Sequence, residues 1–328
     1  MAGTWVKLEQ KGTGPGARSS HAIALVGDTA YAFGGELTPR VPVDNTVYAF
    51  HLKTQTWSPL AATGDVPPPR VGVTMAAISG MVYMFGGRDQ SHKELNELYS
   101  FDMQVGPPLA HSSGADGPPP RSYHSMAADG DAAGGGGRVY VFGGCGAAGR
   151  LNDLWGYDVA AGRWEQPPPP REACRPRGGP GLAVAGGRLW VVYGFGGEAE
   201  LDDVHCYDPA TGRWSAVETA GDKPSPRSVF CAAGVAGCVV VFGGEVDPSD
   251  LGHLGAGKFS AEAFALDMES GAWTRLDDGA GAEHHPGPRG WCAFAAGEKD
   301  GRRGLLVYGG NSPTNDRLDD IFFFTPAC

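Results

Sequence analysis

Short apolar runs that end on glycine recur through this chain. Six of them close as Phe33-Gly34-Gly35, Phe85-Gly86-Gly87, Phe142-Gly143-Gly144, Tyr193-Gly194-Phe195, Phe242-Gly243-Gly244 and Tyr308-Gly309-Gly310, with first residues 52, 57, 51, 49 and 66 apart. Upstream of each stands an arginine: Arg18, Arg70, Arg121, Arg177, Arg227 and Arg289. A small-apolar run, a turn such as Val26-Gly27-Asp28 and a β-rich run such as Val139-Tyr140-Val141-Phe142 come between them. After the glycines comes a polar loop. A third run follows, as in Asn45-Thr46-Val47-Tyr48, Leu98-Tyr99, Asp153-Leu154-Trp155 or Val204-His205-Cys206-Tyr207, then a turn and Trp57, Trp164, Trp214 or Trp273. Runs this short, rich in β-branched and aromatic residues and bounded by Gly, Pro and Asp, predict strands. Each unit reads as a four-stranded antiparallel sheet.

A sheet of this kind cannot cover both of its faces alone. Self-similarity near 50 residues points to a repeat architecture of propeller-blade size, and six blades around an axis leave only short edges. The sequence thus predicts an all-β, six-bladed propeller over residues 1–328 as one domain. The last repeat ends near Phe322-Phe323-Phe324 without its Trp, while Trp5 stands unpaired at the other end. A strand at about residues 3–9 is therefore expected to complete the last blade and close the ring. The second repeat runs from Phe101-Asp102 into Gly106-Pro107-Pro108 without a Trp, which predicts a short or disordered outer strand. The low-complexity stretches Gly106 to Pro120, Ala127 to Gly137 and Pro167 to Pro170 read as surface loops.

Composition narrows the function classes. The chain has 328 residues, 53 of them Gly and 26 Pro, room for one closed ring and no second large domain. A formal charge of −11 disfavours broad binding to nucleic acid or anionic membranes. It leaves room for a basic centre where the recurring arginines converge on the axis. No run of about 18 apolar residues predicts a membrane span, and Met1-Ala2-Gly3-Thr4-Trp5 lacks the pattern of a secretory leader. Seven scattered cysteines (145, 174, 206, 231, 238, 292 and 328) form no CxxC pair, so reduced thiols in the cytoplasm or nucleus are expected. Oligomeric state is left open, with room for a homodimer.

The fifth repeat carries the densest candidate chemistry, in Glu245-Val246-Asp247-Pro248-Ser249-Asp250-Leu251-Gly252-His253. The residues alone admit two readings, a metal site or a solvated acidic loop. The repeat arginines also have two, grip on an oxyanion or hydrogen bonds to carbonyls between blades. Trp291 is a pocket wall or inter-blade packing. Glu283-His284-His285 lies in a Gly/Pro-flanked turn and reads as solvated. The sequence contains no GxSxG elbow, no P-loop and no dinucleotide fingerprint opening a helix.

The repeat set resembles Kelch repeats over essentially the whole chain. The segments Gly12-Thr13-Gly14-Pro15-Gly16-Ala17-Arg18-Ser19-Ser20-His21, Phe33-Gly34-Gly35-Glu36-Leu37-Thr38-Pro39, Trp190-Val191-Val192-Tyr193-Gly194-Phe195, Arg227-Ser228-Val229-Phe230 and Pro288-Arg289-Gly290-Trp291 resemble, more narrowly, the plant specifier proteins. That resemblance implies an Fe(II)-dependent, lyase-like activity on the unstable aglucone that myrosinase releases from glucosinolates. Breaking its C–S and N–O bonds diverts it to simple nitriles in place of the isothiocyanate formed spontaneously. It also implies Glu245 and His253 as iron ligands. The family Asp between them falls on Ser249, so Asp250, with Asp247 as the alternative, is the expected third ligand. Two carboxylates and an imidazole suit Fe(II) and leave positions for the aglucone sulfur. Arg88 and Trp291 match residues the family uses at its catalytic centre. Arg40, Arg88, Tyr123 and Trp291 are the expected substrate-binding set. Two other readings stand beside this one: a non-catalytic Kelch interaction module, and a relative acting on another small molecule.

Overall fold

The computed structural model describes residues 3–61, 64–102, 109–112, 116–130, 136–170, 174–280 and 284–327. Their strands form six antiparallel sheets of four, two of which gain a fifth, parallel edge strand, and one separate two-stranded ribbon. Blade 1 runs outward from the axis as Ser19–Val26, Thr29–Glu36, Tyr48–His51 and Thr56–Pro59. Blades 2 to 5 repeat this order from inner strands Thr74–Ile78, Ser125–Gly130, Gly181–Ala185 and Cys231–Val235. Blade 6 holds Ala293–Lys299, Arg302–Asn311 and Arg317–Pro326, and its fourth strand is Gly3–Lys7, antiparallel to the C-terminal strand with Trp5 opposite Phe324. The ring is thus closed as the missing Trp predicts. Trp5 Nε1 donates to Asp277 Oδ2 of blade 5 at 2.8 Å, and its ring centroid lies 4.6 Å from that of Phe242. No helix among the described residues is long and apolar enough to cross a membrane.

The core is six apolar layers, one between each pair of neighbouring blades. Between blades 6 and 1, for instance, Leu306, Ile321 and Phe323 meet Ile23, Phe50 and Trp57. A blade is covered on both faces, so its second strand is apolar without alternation: Val139, Tyr140, Val141 and Phe142 are all buried. Each such side chain contributes about 1.5–3 kcal/mol by leaving water.

Two closed circles of backbone hydrogen bonds join the blades at the axis. In one, the amides of Gly35, Gly87, Gly144, Gly194, Gly244 and Gly310 donate to the carbonyls of Arg70, Arg121, Arg177, Arg227, Arg289 and Arg18 at 2.9–3.0 Å, save for 2.8 Å in the fifth. In the other, Ser20, Gly72, Tyr123, Gly179, Val229 and Trp291 each donate to the preceding member, ending where the ring began, at 2.8–3.0 Å. The repeat arginines settle as braces. All six are 0–2 % exposed, and each donates through Nη1 to the carbonyl at the first position of the glycine pair. Each also faces a carboxylate: Asp44, Glu97, Asp153, Asp203, Glu262 and Asp320 in order. None is free to form a basic centre.

The same contacts correct the register of the fourth repeat. Arg177 donates to the carbonyl of Tyr193, and the inter-blade amide is Gly194, so the pair there is Tyr193-Gly194 and not Gly194-Phe195. Tyr193 takes the first glycine position at φ 53, where Gly34 has 77 and Gly143 64. Its ring packs against Phe230 and Trp273, and its hydroxyl donates to Pro224 O. That burial offsets the left-handed backbone, which costs an L-residue on the order of 1 kcal/mol.

Other expectations shift. The third strand of blade 1 starts at Tyr48; the preceding turn instead presents Asp44 to Arg18. Blade 2 has its outer strand, Leu109–Ser112; the position facing Phe101, where the other blades place Trp, lies outside the described residues, and His111, further along the strand, stacks on Tyr83. Of the low-complexity stretch from Ala127 to Gly137, residues 127–130 and Gly137 pair as strands rather than looping out, while 131–135 lie outside the described residues. Glu283 is also outside them. His284 is exposed, but His285 is not solvated: its side chain is 6 % exposed, 3.2 Å from Asp277 and packed on Trp5 at the ring's seam.

Candidate functional site at the hub mouth

The closed circles create three tiers of variable side chains around the axis. The floor is Ser20, Gly72, Tyr123, Gly179, Val229 and Trp291, the second residue after each brace arginine, and all six have φ between 49 and 62. Four carry side chains in that left-handed geometry, and for β-branched Val229 it is a marked outlier. Strain of this kind persists where surrounding bonds over-determine it, here the amide circle, and it concentrates at functional sites.

The first wall tier is the residue after each glycine pair: Glu36, Arg88, Cys145, Phe195, Glu245 and Asn311. Each is bridged to the residue that follows a brace arginine. The second tier pairs across the hairpin with the first: Pro42, Glu94, Arg150, Glu200, Phe259 and Arg317. Chemistry gathers in these tiers. Arg88 gives both Nε and Nη2 to Glu94 Oε1. Arg317 is bound to Asn311 and Asn315 and stands 3.4 Å from Glu36. Arg150 has no carboxylate partner among the described residues. Its guanidinium lies 4.7 Å from the Phe195 ring centroid, and its buried Nε has no hydrogen-bond partner. Glu200 accepts from the Ser228 hydroxyl at 3.1 Å, yet burial, aided by nearby Glu245, pushes its carboxyl up to about 8.

The long loop of blade 5 folds over this mouth. Glu245–Asp247 pairs with Lys258–Phe259, and the turn Gly252–Leu254 between them places His253 over the floor. The His253 ring stacks on Tyr123, centroids 4.9 Å apart, and tilts against Trp291 at 5.9 Å. Tyr123 and Trp291 belong to blades half a turn apart. Asn315 Nδ2 donates to Leu254 O at 3.1 Å and ties the loop to blade 6. Burial, then the charges of Arg88, Arg40 and Arg150, lower His253 to about 4. Its imidazole is therefore neutral at ordinary pH, within the field of arginines from blades 1, 2 and 3.

The expected substrate-binding set is thus brought together: Arg88, Tyr123 and Trp291 at the mouth, with exposed Arg40 near His253. The expected metal set is not. Glu245 is turned into its own loop, where the amides of Gly257 and Ser249 hold its carboxyl; burial outweighs them and lifts it to about 7. Asp247 is exposed and paired with Lys258 at 2.8 Å, and Asp250 is exposed. Ser249, in the middle position, accepts from the Leu251 amide at 3.1 Å. Among the described residues no three His, Cys, Asp or Glu side chains stand together as a metal-holding group. This donor arrangement does not fit a three-ligand iron centre. Sequence reading also passed over Arg150, Glu94, Glu200, Glu36 and Arg317. Aligning the residue that faces each post-glycine position across its hairpin exposes all but Glu36, which is itself such a post-glycine residue.

Comparison with known proteins agrees with the fold. Residues 20–244 match the KLHDC2/KLHL20/DRC7 Kelch-repeats domain. The chain is 40 % identical, over 99 % of its length and 97 % of the relative's, to N-(sulfonatooxy)prop-2-enimidothioate sulfolyase of Thlaspi arvense. It is 29 % identical to Tip elongation aberrant protein 3 of Schizosaccharomyces pombe, over 46 % of this chain and 16 % of that protein. Among solved structures, that of YjhT superposes with a TM-score of 0.71 over 94 % of each chain at 15 % identity, a likeness of fold. The chain belongs to the Kelch-repeat family and, within it, to the specifier-type proteins.

Proposed function

We propose that the hub mouth binds the sulfated aglucone that myrosinase releases from a glucosinolate, and that the bound molecule fragments to a simple nitrile. The observation that carries this is a buried imidazole at the axis, stacked on Tyr123 and against Trp291, close enough to Arg88, Arg40 and Arg150 for their charges to lower it. The Thlaspi relative is named for a substrate bearing a sulfonatooxy group and a thioimidate sulfur, which is a dianion. Guanidinium forks match the sulfate oxygens. Arg150, which forms no ion pair among the described residues, is one such fork, and Tyr123 and Trp291 cover the rest of the molecule.

Fragmentation breaks C–S and N–O. The C–S pair becomes the third C–N bond, and the N–O pair leaves with sulfate. Products are nitrile, sulfate and one sulfur atom, with two negative charges on each side and no proton taken up. The mouth's task is to orient the molecule and to stabilise the charge that collects on the departing sulfate. Neutral Glu200 and His253 suit that task, since ionised Glu200 would repel the dianion.

The test is purified protein with allyl glucosinolate and myrosinase, with and without added Fe(II), the volatile products being separated by gas chromatography. A raised nitrile-to-isothiocyanate ratio is expected. A ratio equal to that of myrosinase alone in both conditions rejects the activity. The two loops that carry Arg40 and His253 also expose Leu37, Val41, Leu251 and Leu254. That apolar rim favours the second reading, a module that docks a protein partner. A relative acting on another small molecule is the third.

A further inference from the structure

The backbone circle through the floor fixes a side-chain contact at each blade junction. The amide of Tyr123 donates to Gly72 O, that of Gly179 to Tyr123 O, and that of Trp291 to Val229 O. The residue two beyond one floor position therefore faces the residue one beyond the next. Thr74 Oγ1 is 2.6 Å from His124 Nε2 between blades 2 and 3, and Ser125 donates to Pro180 O between blades 3 and 4. Between blades 4 and 5, a Cβ added to Gly181 would lie 2.9 Å from the Phe230 ring. Only between blades 5 and 6 are both of these positions cysteine, Cys231 and Cys292. Both are free thiols. They pack in one apolar cluster, and their sulfurs stand within hydrogen-bonding reach of each other.

The two thiols differ in access. Cys231 is 1 % exposed, and burial, then the bond to Cys292, hold its thiol well above the ordinary value. Cys292 is only partly buried and lines the space on the axis, with its Sγ 3.8 Å from Gly290 O. Cysteines can be bridged without moving the backbone only where their side chains already meet, which the junction register provides here. We infer that Cys231 and Cys292 are a redox pair, which a peroxide arriving along the axis converts to a disulfide between blades 5 and 6. The thiolate of Cys292 attacks one peroxide oxygen, and the O–O pair leaves with hydroxide, which takes up a proton as water. The Cys231 sulfur then attacks that of Cys292. The S–S bond forms, the S–O bond breaks, and the Cys231 proton leaves with the hydroxyl as a second water. In sum two thiols and one hydrogen peroxide give one disulfide and two waters, two electrons passing from sulfur to oxygen. The bond lies one residue beyond Trp291, the floor ring against His253, and takes no part in the fragmentation at the mouth.

Peptide mapping tests it. Full-length protein is reduced, exposed to hydrogen peroxide, unfolded with an alkylating agent present and digested, and the peptides are weighed. Two of the seven thiols are expected to escape alkylation, in one linked peptide pair that joins Cys231 to Cys292 and is released by dithiothreitol. In Cys231→Ala the second thiol is absent, and dimedone is expected to trap the sulfenic acid on Cys292. Alkylation of all seven thiols after peroxide overturns the inference, as does linkage of either cysteine to a different partner. Dimedone on other cysteines but not on Cys292 rejects Cys292 as the attacking thiol. The wild-type map decides the pairing by itself, whatever the variant does to folding.

Discussion

Glu200→Gln separates the cost of the mouth from its use. In the wild type the carboxyl moves from its ordinary 4.5 to about 8, mainly through burial. The sign follows from comparing the two states. The unfolded chain releases this proton near 4.5, while the folded chain keeps it until about 8. Stability is therefore greatest below the unfolded value and falls as pH rises between the two. At about 1.36 kcal/mol per pH unit, the loss by pH 8 is on the order of 4 kcal/mol. Glutamine has nearly the same shape, can still bond the Ser228 hydroxyl and does not titrate. The difference in Tm between variant and wild type should be small at pH 5 and grow to several degrees in the variant's favour at pH 8. Sulfate affinity should follow the same coordinate. Ionised Glu200 adds one negative charge to the mouth, on the order of 1 kcal/mol at intermediate dielectric, or about fivefold in affinity. Wild-type binding should weaken between pH 7 and 9, and the variant's should weaken less. A Tm difference independent of pH, together with parallel binding curves, refutes the claim that Glu200 is held neutral.

Other expectations address the braces, the loop and the seam. Arg121→Ala removes bonds to Gly143 O and to both Asp153 oxygens and strands a partly buried carboxylate; a loss of about 3–5 kcal/mol is expected by denaturant titration, and a cost below 1 kcal/mol rejects the brace. Ser249→Asp restores a carboxylate at the middle loop position, so anaerobic equilibrium dialysis should find Fe(II) held at least tenfold more tightly than by the wild type; equal retention shows that this position does not limit metal binding. Trp5→Ala takes a ring from between Phe242 and Phe324 and leaves Asp277 without its indole donor. It should cost about 3–5 kcal/mol and raise hydrogen exchange first in strand Arg317–Pro326, whereas uniform exchange across all blades counts against a seam.

The blade count, the closure and the identity of the outer-strand Trp residues were legible because each follows from a local rule repeated six times. Glycine marks a left-handed backbone, and alternation or its absence marks a strand's faces. Legibility failed where one copy satisfied the same geometry with another residue. Tyr193 stands in for glycine because its ring has a place between blades 4 and 5. Composition misled at Ala127–Gly130, where small residues form an inner strand that lines the space on the axis. The loop donors expected for iron do not stand together here, for a different reason. Spacing along a loop does not say which way a carboxylate turns, and Glu245 turns toward the amides of its own loop.

The braces explain why the site had to be hard to read. Arginine, carboxylate and glycine pair are the same in nearly every blade, so they hold the ring without reference to what lies on the axis. The floor is fixed through its backbone circle alone, and its side chains are free to differ as Ser, Gly, Tyr, Gly, Val and Trp. The two wall tiers are likewise held by backbone bridges and differ from blade to blade. Recurrence in a propeller of this kind therefore marks structure, and function is to be sought at the structurally equivalent positions where recurrence breaks. Arg88 and Arg150 illustrate the rule. They occupy different wall tiers of neighbouring blades, where blades 1, 4 and 5 carry Glu, Phe or Pro and blade 6 carries Asn and Arg, yet both charges act on the same imidazole. A repeat alignment registered on the brace arginines locates both from sequence, whereas a search for spaced ligands along one loop finds neither.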